Sequence, residues 1–144
     1  MSETDINPNA DGSQIRVPVR VRYAECDPQG VAHHSAYPVW LELARTELLR
    51  ANGMVYREQE EQGIYFVVAR LNIRYRRPAR YDDLLTIHVE LLRCGASIVE
   101  HRYQIRREGE LIAEAQTTLA CTGADGRPRR VPEAMERCPQ RAAT

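Results

Sequence analysis

The chain contains no lysine, and all 20 of its basic residues are arginine. That excludes a lysine Schiff base and a lysine general base. The bias itself reads as a base-composition effect, because arginine solubilises a surface as lysine does. Cysteine is sparse: there are four, at positions 26, 94, 121 and 138, with no CxxC pair. Zinc-site spacing is therefore missing, and no metal or other cofactor is expected. No apolar run approaches the ~20 residues that a membrane-spanning helix needs. Formal net charge is zero, which argues against a nucleic-acid binder. The opening Met-Ser-Glu-Thr-Asp lacks the apolar stretch of a signal peptide. These absences lead to the expectation of a soluble cytoplasmic protein with reduced thiols.

What is present suits one folded domain. The 144 residues are 43% apolar, enough for one core and short for two. Residues 1–14 are polar and read as a disordered tail, 15–135 as the domain, and 136–144 as a second tail. Ile15, Val17, Val19, Val21 and Tyr23 share one parity, opposite Arg16, Arg20 and Arg22, as in a half-buried strand. Pro18 on the polar parity suits an edge strand. From about Ser35 to Asn52 the period changes to that of a helix, with Tyr37, Leu41, Ala44, Leu48 and Ala51 on one face. Ser35 is placed to cap it, and Asn52-Gly53 to end it. A short helix over 55–62 and four strands follow, over 64–75, 84–92, 97–107 and 110–122. In the first of these, Val67, Ala69, Leu71, Ile73 and Tyr75 form the apolar parity. The last three should make an antiparallel meander, and a short helix lies near 132–137. One sheet with one amphipathic helix across it is an α+β two-layer domain.

The chemistry concentrates between the first strand and the long helix. Asp27 stands on a Pro/Gly-punctuated loop, Asp27-Pro28-Gln29-Gly30, seven residues before His34 and the helix start. A helix N-terminus offers unpaired N–H groups and partial positive charge. A carboxylate beside such donors can attack, or activate water toward, a carbonyl that the donors polarise. The plainer alternative is that Asp27 only closes an Asx turn with Gln29 or Gly30. His33 and His34 invite a metal reading, but no further ligands stand at a recognisable spacing. Cys26 beside Asp27 reads as a small hydrophobe, since no base is placed for it. Glu25 reads as a hydrogen-bond partner that orients the loop. His88 and His101 read as structural. Arg70, Arg74, Arg76, Arg77 and Arg80 form either a phosphate-binding cluster or a solvated strand face.

The run Val21-Arg22-Tyr23-Ala24-Glu25-Cys26-Asp27-Pro28-Gln29-Gly30-Val31 to Tyr37, followed by Trp40 and Ala44-Arg45-Thr46-Glu47, resembles the 4-hydroxybenzoyl-CoA thioesterase family and its Tol–Pal-associated acyl-CoA thioesterase relatives. Phe66-Val67-Val68 to Tyr75-Arg76-Arg77-Pro78-Ala79-Arg80-Tyr81-Asp82-Asp83 is similar to the second signature of that family. The resemblance covers about residues 15–135. It implies a hotdog fold, an antiparallel sheet wrapped around one long central helix. It implies an acyl-CoA thioesterase, with Asp27 as the catalytic carboxylate and the His34 N–H facing the thioester oxygen. Gly30, His33, Tyr37, Arg70, Arg74 and Arg93 become the expected substrate-binding residues, although His33 is equally open to a packing role. Relatives hold the CoA phosphates with a basic run in the turn matching Arg93-Cys94-Gly95-Ala96, where this chain keeps Arg93 alone. A homodimer or homotetramer is implied, with acyl-CoA as substrate and no nucleic-acid partner or membrane span. The alternatives left open are a non-catalytic acyl-CoA-binding module and a thioesterase acting on acyl carrier protein.

Overall fold

The computed structural model describes residues 12–136. Both expected tails lie outside the described residues except for Gly12 to Gln14 and Glu136, and the first strand already takes in Gln14. Five strands and three helices follow in the order β1 Gln14–Arg20, α1 Ala36–Ala51, α2 Tyr56–Glu61, β2 Tyr65–Tyr75, β3 Leu84–Cys94, β4 Ile98–Arg107, β5 Glu110–Thr122 and α3 Glu133–Glu136. The strands form one sheet in the order β1-β3-β4-β5-β2, all neighbours antiparallel. The α+β arrangement and the β3-β4-β5 meander are as expected. Pro18 lies opposite Thr86 on β1, an edge strand, where the missing N–H takes no bond from the ladder.

The long helix packs on one face of this sheet. Tyr37, Trp40, Leu41, Ala44 and Leu48 recur at helical spacing and are all buried. They meet Val17 and Val19 of β1, Leu85, Ile87 and Val89 of β3, and Tyr103 and Ile105 of β4 in one core cluster. The helix stops at Asn52, whose amide nitrogen donates to the Leu48 carbonyl at 2.8 Å, and at Gly53, whose φ of 82° an L side chain resists. No helix among the described residues is long and apolar enough to cross a membrane.

Two local readings are corrected. The apolar parity of β2 breaks at a bulge between Val68 and Arg70. The extra residue, Ala69, shifts the phase, so Val68, Leu71 and Ile73 face the same side while Val67 turns to the other. β2 is also an edge of the sheet, as β1 is, and Val67, Val68, Leu71 and Tyr75 stay exposed instead of buried. Ser35 occupies the N-cap position of α1 but makes no side-chain cap bond. Its backbone is already in the αR region, and its hydroxyl pairs with His33 Nδ1 at 2.7 Å.

Beneath the helix, His101 is buried with no hydrogen-bond partner on Nδ1. Burial, with the Arg45 charge added, pushes its imidazole down to about 3 from an ordinary 6.5. The ring thus stays neutral in the fold down to that pH, while the unfolded chain takes a proton below about 6.5. Its contribution to stability is complete above pH 6.5 and drains away as pH falls toward 3. The slope approaches ~1.4 kcal/mol per pH unit. Urea unfolding of the wild type and of His101→Phe at pH 7.5, 6 and 5 should give a flatter profile for the variant; parallel profiles would count against this role.

Candidate active site

The loop that carries Asp27 is built by backbone bonds on both flanks. After β1, the Val21 N–H donates to Asp83 O at 2.9 Å, and the Asp82 N–H returns to Val21 O at 3.0 Å. The expected strand therefore ends at Arg20, and Tyr23–Glu25 curls into a 3-10 turn. Cys26 and Ala32 then pair as an antiparallel bridge, with the Asp27 N–H on Val31 O at 2.9 Å. Inside it, the Gly30 N–H closes a four-residue turn on Asp27 O at 2.9 Å, and Gly30 has the positive φ of 81° that favours glycine. On the outer side, Val31 bridges Arg80, and the Ala32 N–H donates to Ala79 O at 2.7 Å.

Glu25 locks this loop to the helix. Its Oε2 accepts the Trp40 indole N–H at 2.8 Å, and its Oε1 accepts the Arg22 N–H at 2.8 Å. Its backbone carbonyl takes the His33 N–H at 2.7 Å. Burial tends to raise the Glu25 carboxyl, but hydrogen bonds from the Arg22 amide, the Arg22 guanidinium and Trp40 outweigh it and hold the group below its ordinary value. The orienting role read for Glu25 has these contacts behind it. The Cys26 thiol donates to Arg22 O at 3.6 Å and packs against the core, as a small hydrophobe would.

Asp27 is half-buried. Its Oδ1 accepts the Gln29 N–H at 2.8 Å, so the Asx turn of the plainer reading is present. Among the described residues Oδ2 has no partner. One oxygen thus anchors the carboxylate while the other stays available for chemistry. Seven residues on, the His34 N–H likewise has no partner among the described residues, whereas the His33 and Ala36 N–H groups on either side are both bonded within the loop. The free donor sits just ahead of α1, where the helix dipole favours developing negative charge.

The sequence-derived binding residues separate into two sets. His34 and Tyr37 line an open cavity of about 270 Å³ with Ala32, Tyr75, Arg76, Arg77 and Pro78. Gly30 and His33 belong to the Asp27 loop itself, and the His33 and His34 rings lie 4.1 Å apart, tilted by 34°. No group of three or more His, Cys, Asp or Glu among the described residues is placed to share a metal. Arg70, Arg74 and Arg93 are elsewhere on the sheet. Arg93 pairs with Glu100 at 3.4 Å, in the register row that continues through Thr118 to Arg70. Arg74 lies opposite Glu114, which accepts from Arg76 at 2.6 Å. The arginine cluster is thus partly spent on carboxylates, with Arg77 also 3.5 Å from Glu110. A wider concavity of about 1000 Å³ crosses the sheet around Arg16, Thr86, His88 and Gln104, and neither Asp27 nor His34 lines it.

Tyr75 is the residue that sequence reasoning overlooks. Its ring meets Tyr37 edge-on at 4.8 Å, and its hydroxyl donates to His34 O at 3.1 Å. Burial raises the phenols of both Tyr37 and Tyr75, so both stay protonated donors near neutral pH.

The chain is similar to known proteins in sequence and fold. The chain is 34% identical to the acyl-CoA thioester hydrolase YbgC of Escherichia coli over 123 residues, covering 84% of this chain and 92% of the relative. It is 32% identical to the putative acyl-CoA thioesterase YneP of Bacillus subtilis, over 72% of this chain and 75% of that one. The DHNA-CoA thioesterase of Staphylococcus aureus superposes with a TM-score of 0.82 at 29% identity, over 86% of this chain and 87% of that structure. The model of the thioesterase-like superfamily matches residues 21–138, and on that match and these relatives the chain belongs to this superfamily of hotdog proteins.

Proposed function

We propose that this chain is an acyl-CoA thioesterase, which hydrolyses an acyl- or aroyl-CoA thioester to the free acid and CoA. The observation that carries the reading is the pairing on one loop of two free groups of opposite character. These are Asp27 Oδ2 and the His34 N–H at the entry of α1. The relatives named for acyl-CoA hydrolysis support CoA as the carrier.

The chemistry asks little more. A thioester carbonyl is electrophilic and its thiolate leaves without much acid help. In the proposed mechanism Asp27 either adds to the carbonyl carbon or draws a proton from the water that adds. The carbonyl oxygen becomes an oxyanion on the His34 N–H, where one well-placed donor is worth about 3 kcal/mol. Collapse of that intermediate expels the CoA thiolate. In the first route water then opens the Asp27 anhydride; in the second the acid forms directly. Glu25 and Trp40 hold the carboxylate loop against the helix that presents the donor. A panel of acyl-CoAs, short, long and aromatic, assayed by free-thiol release should give steady turnover with at least one member. No release from any of them would refute the reading.

The working unit in this reading is at least a homodimer. β2 leaves an 11-residue edge unpaired, with Val67, Val68, Leu71 and Tyr75 exposed along it. Val39 and Leu43, one turn apart on α1, are exposed as well. An apolar open edge of that length invites pairing with a second copy. Light scattering at micromolar concentration should give a mass of at least twice 16.5 kDa; a stable 16.5 kDa species contradicts the pairing.

A further inference from the structure

We infer that Tyr75 is a positioning residue, whose hydroxyl replaces a helix hydrogen bond that Pro38 removes and so fixes the peptide carrying the proposed oxyanion donor. The inference rests on the reading above and adds to it a residue and a reason.

Ser35 already has helical dihedrals (φ −73°, ψ −14°), so the His34 carbonyl ahead of it is turned toward position 38, whose N–H a regular helix would supply. Here residue 38 is proline, the third residue of α1, and it has no N–H to give. Proline is tolerated in a first turn because its fixed φ suits the helix and its ring meets no earlier turn. The cost falls on the other side of the bond. The His34 carbonyl, in the same residue as the free His34 N–H, loses the partner that would hold it in helical orientation. In this fold the Tyr75 hydroxyl donates to that carbonyl at 3.1 Å.

Tyr75 reaches it because β2 ends there. It is the last residue of the strand, opposite Ala113, and its ring stands edge-on against Tyr37 at an interplanar angle of 90°. The ring is therefore braced while the hydroxyl reaches the helix entrance. The His33–His34 unit is then gripped at both ends. Its start is held by the His33 N–H on Glu25 O at 2.7 Å, and its end by Tyr75 on His34 O. The N–H between these two clamps is the one left free for an oxyanion. A donor that must meet developing charge works best when its orientation is fixed beforehand. Tyr75 makes no proton transfer in this account and acts through the peptide it holds.

The test is a rescue. Tyr75→Phe removes only the hydroxyl and keeps the ring against Tyr37. It should lower kcat about fivefold, the fold-change of one net hydrogen bond, with KM within twofold and the oligomeric mass unchanged. Pro38→Ala returns an N–H at position 38 and should have near wild-type kcat. The double variant should match Pro38→Ala, because the helix then supplies what the phenol supplied. Wild-type kcat in Tyr75→Phe overturns the inference. So does a double variant as slow as Tyr75→Phe, which would mean that the hydroxyl acts on substrate, or a fall in mass, which would mean that it acts through assembly. Asp27→Asn is measured beside them on the same substrate. Its retention of activity would sink the underlying mechanism while the rescue pattern is still read independently.

Discussion

Asp27→Asn is expected to abolish thioester hydrolysis while the protein stays folded. Asparagine keeps an oxygen that can accept the Gln29 N–H, so the turn that now closes at 2.8 Å on Asp27 Oδ1 survives. What disappears is the anionic oxygen that no other described residue engages. An amide can neither add to a carbonyl nor take a proton efficiently at neutral pH. The loss of a nucleophile or general base should cost at least ~100-fold in kcat. KM should change far less, since the carboxylate contributes to the transition state and not to holding the CoA moiety. Melting temperature is measured alongside, so that misfolding is not mistaken for lost chemistry. A variant that keeps more than half the wild-type turnover on the best substrate refutes the mechanism.

The second large effect divides one position into two outcomes. His34→Ala should remain active, because alanine supplies the same backbone N–H at the same place. His34→Pro removes that N–H and should lose ~100-fold or more, the scale seen when an oxyanion donor is deleted. The flanking bonds that shape the loop, from the His33 N–H to Glu25 O and from the Ala32 N–H to Ala79 O, do not use the residue 34 amide. Residue 34 precedes α1 and its N–H donates to no carbonyl among the described residues, so proline there removes no ladder bond. Activity of both variants would mean that the helix entrance is not the oxyanion site. A collapse of the alanine variant, with unchanged melting temperature, would place the imidazole in the mechanism.

Much of this architecture is legible from spacing. The change from a two-residue period in residues 15–21 to a helical one from Tyr37 onward places β1 and α1, because each element must turn its apolar side to one core. Pro18 marks an edge strand for the same reason that it has no N–H to share. The bulge at Ala69 is not legible, since nothing in Val-Val-Ala-Arg-Leu says where a ladder skips, and every side chain before it changes face as a result. Ser35 shows another limit. A serine before a helix has the right chemistry for a cap, but His33 Nδ1 claims its hydroxyl. At the site, Asp27 and the helix start are visible in the sequence because they are close in it. Glu25 can be read as a loop partner, but its bond to Trp40 spans 15 residues and needs the fold. Tyr75 lies 41 residues from His34, and only β2 folding back along β5 brings the two together. Pro38 is the available signal, because a proline there leaves a carbonyl in need of a donor. Arg70 and Arg74 group by charge and Arg93 by the resemblance of its turn, but all three sit in other rows of the sheet than the one that reaches the cavity at His34.

The measurement that bears most directly on the central claim is a crystal structure of Asp27→Asn with an unhydrolysed acyl-CoA chosen from the panel. The account predicts the thioester carbonyl oxygen within about 3 Å of the His34 nitrogen, and the side-chain amide introduced at position 27 on the open side of the carbonyl carbon. A carbonyl turned away from the helix entrance, with the His34 N–H bonded to some other group, would contradict it.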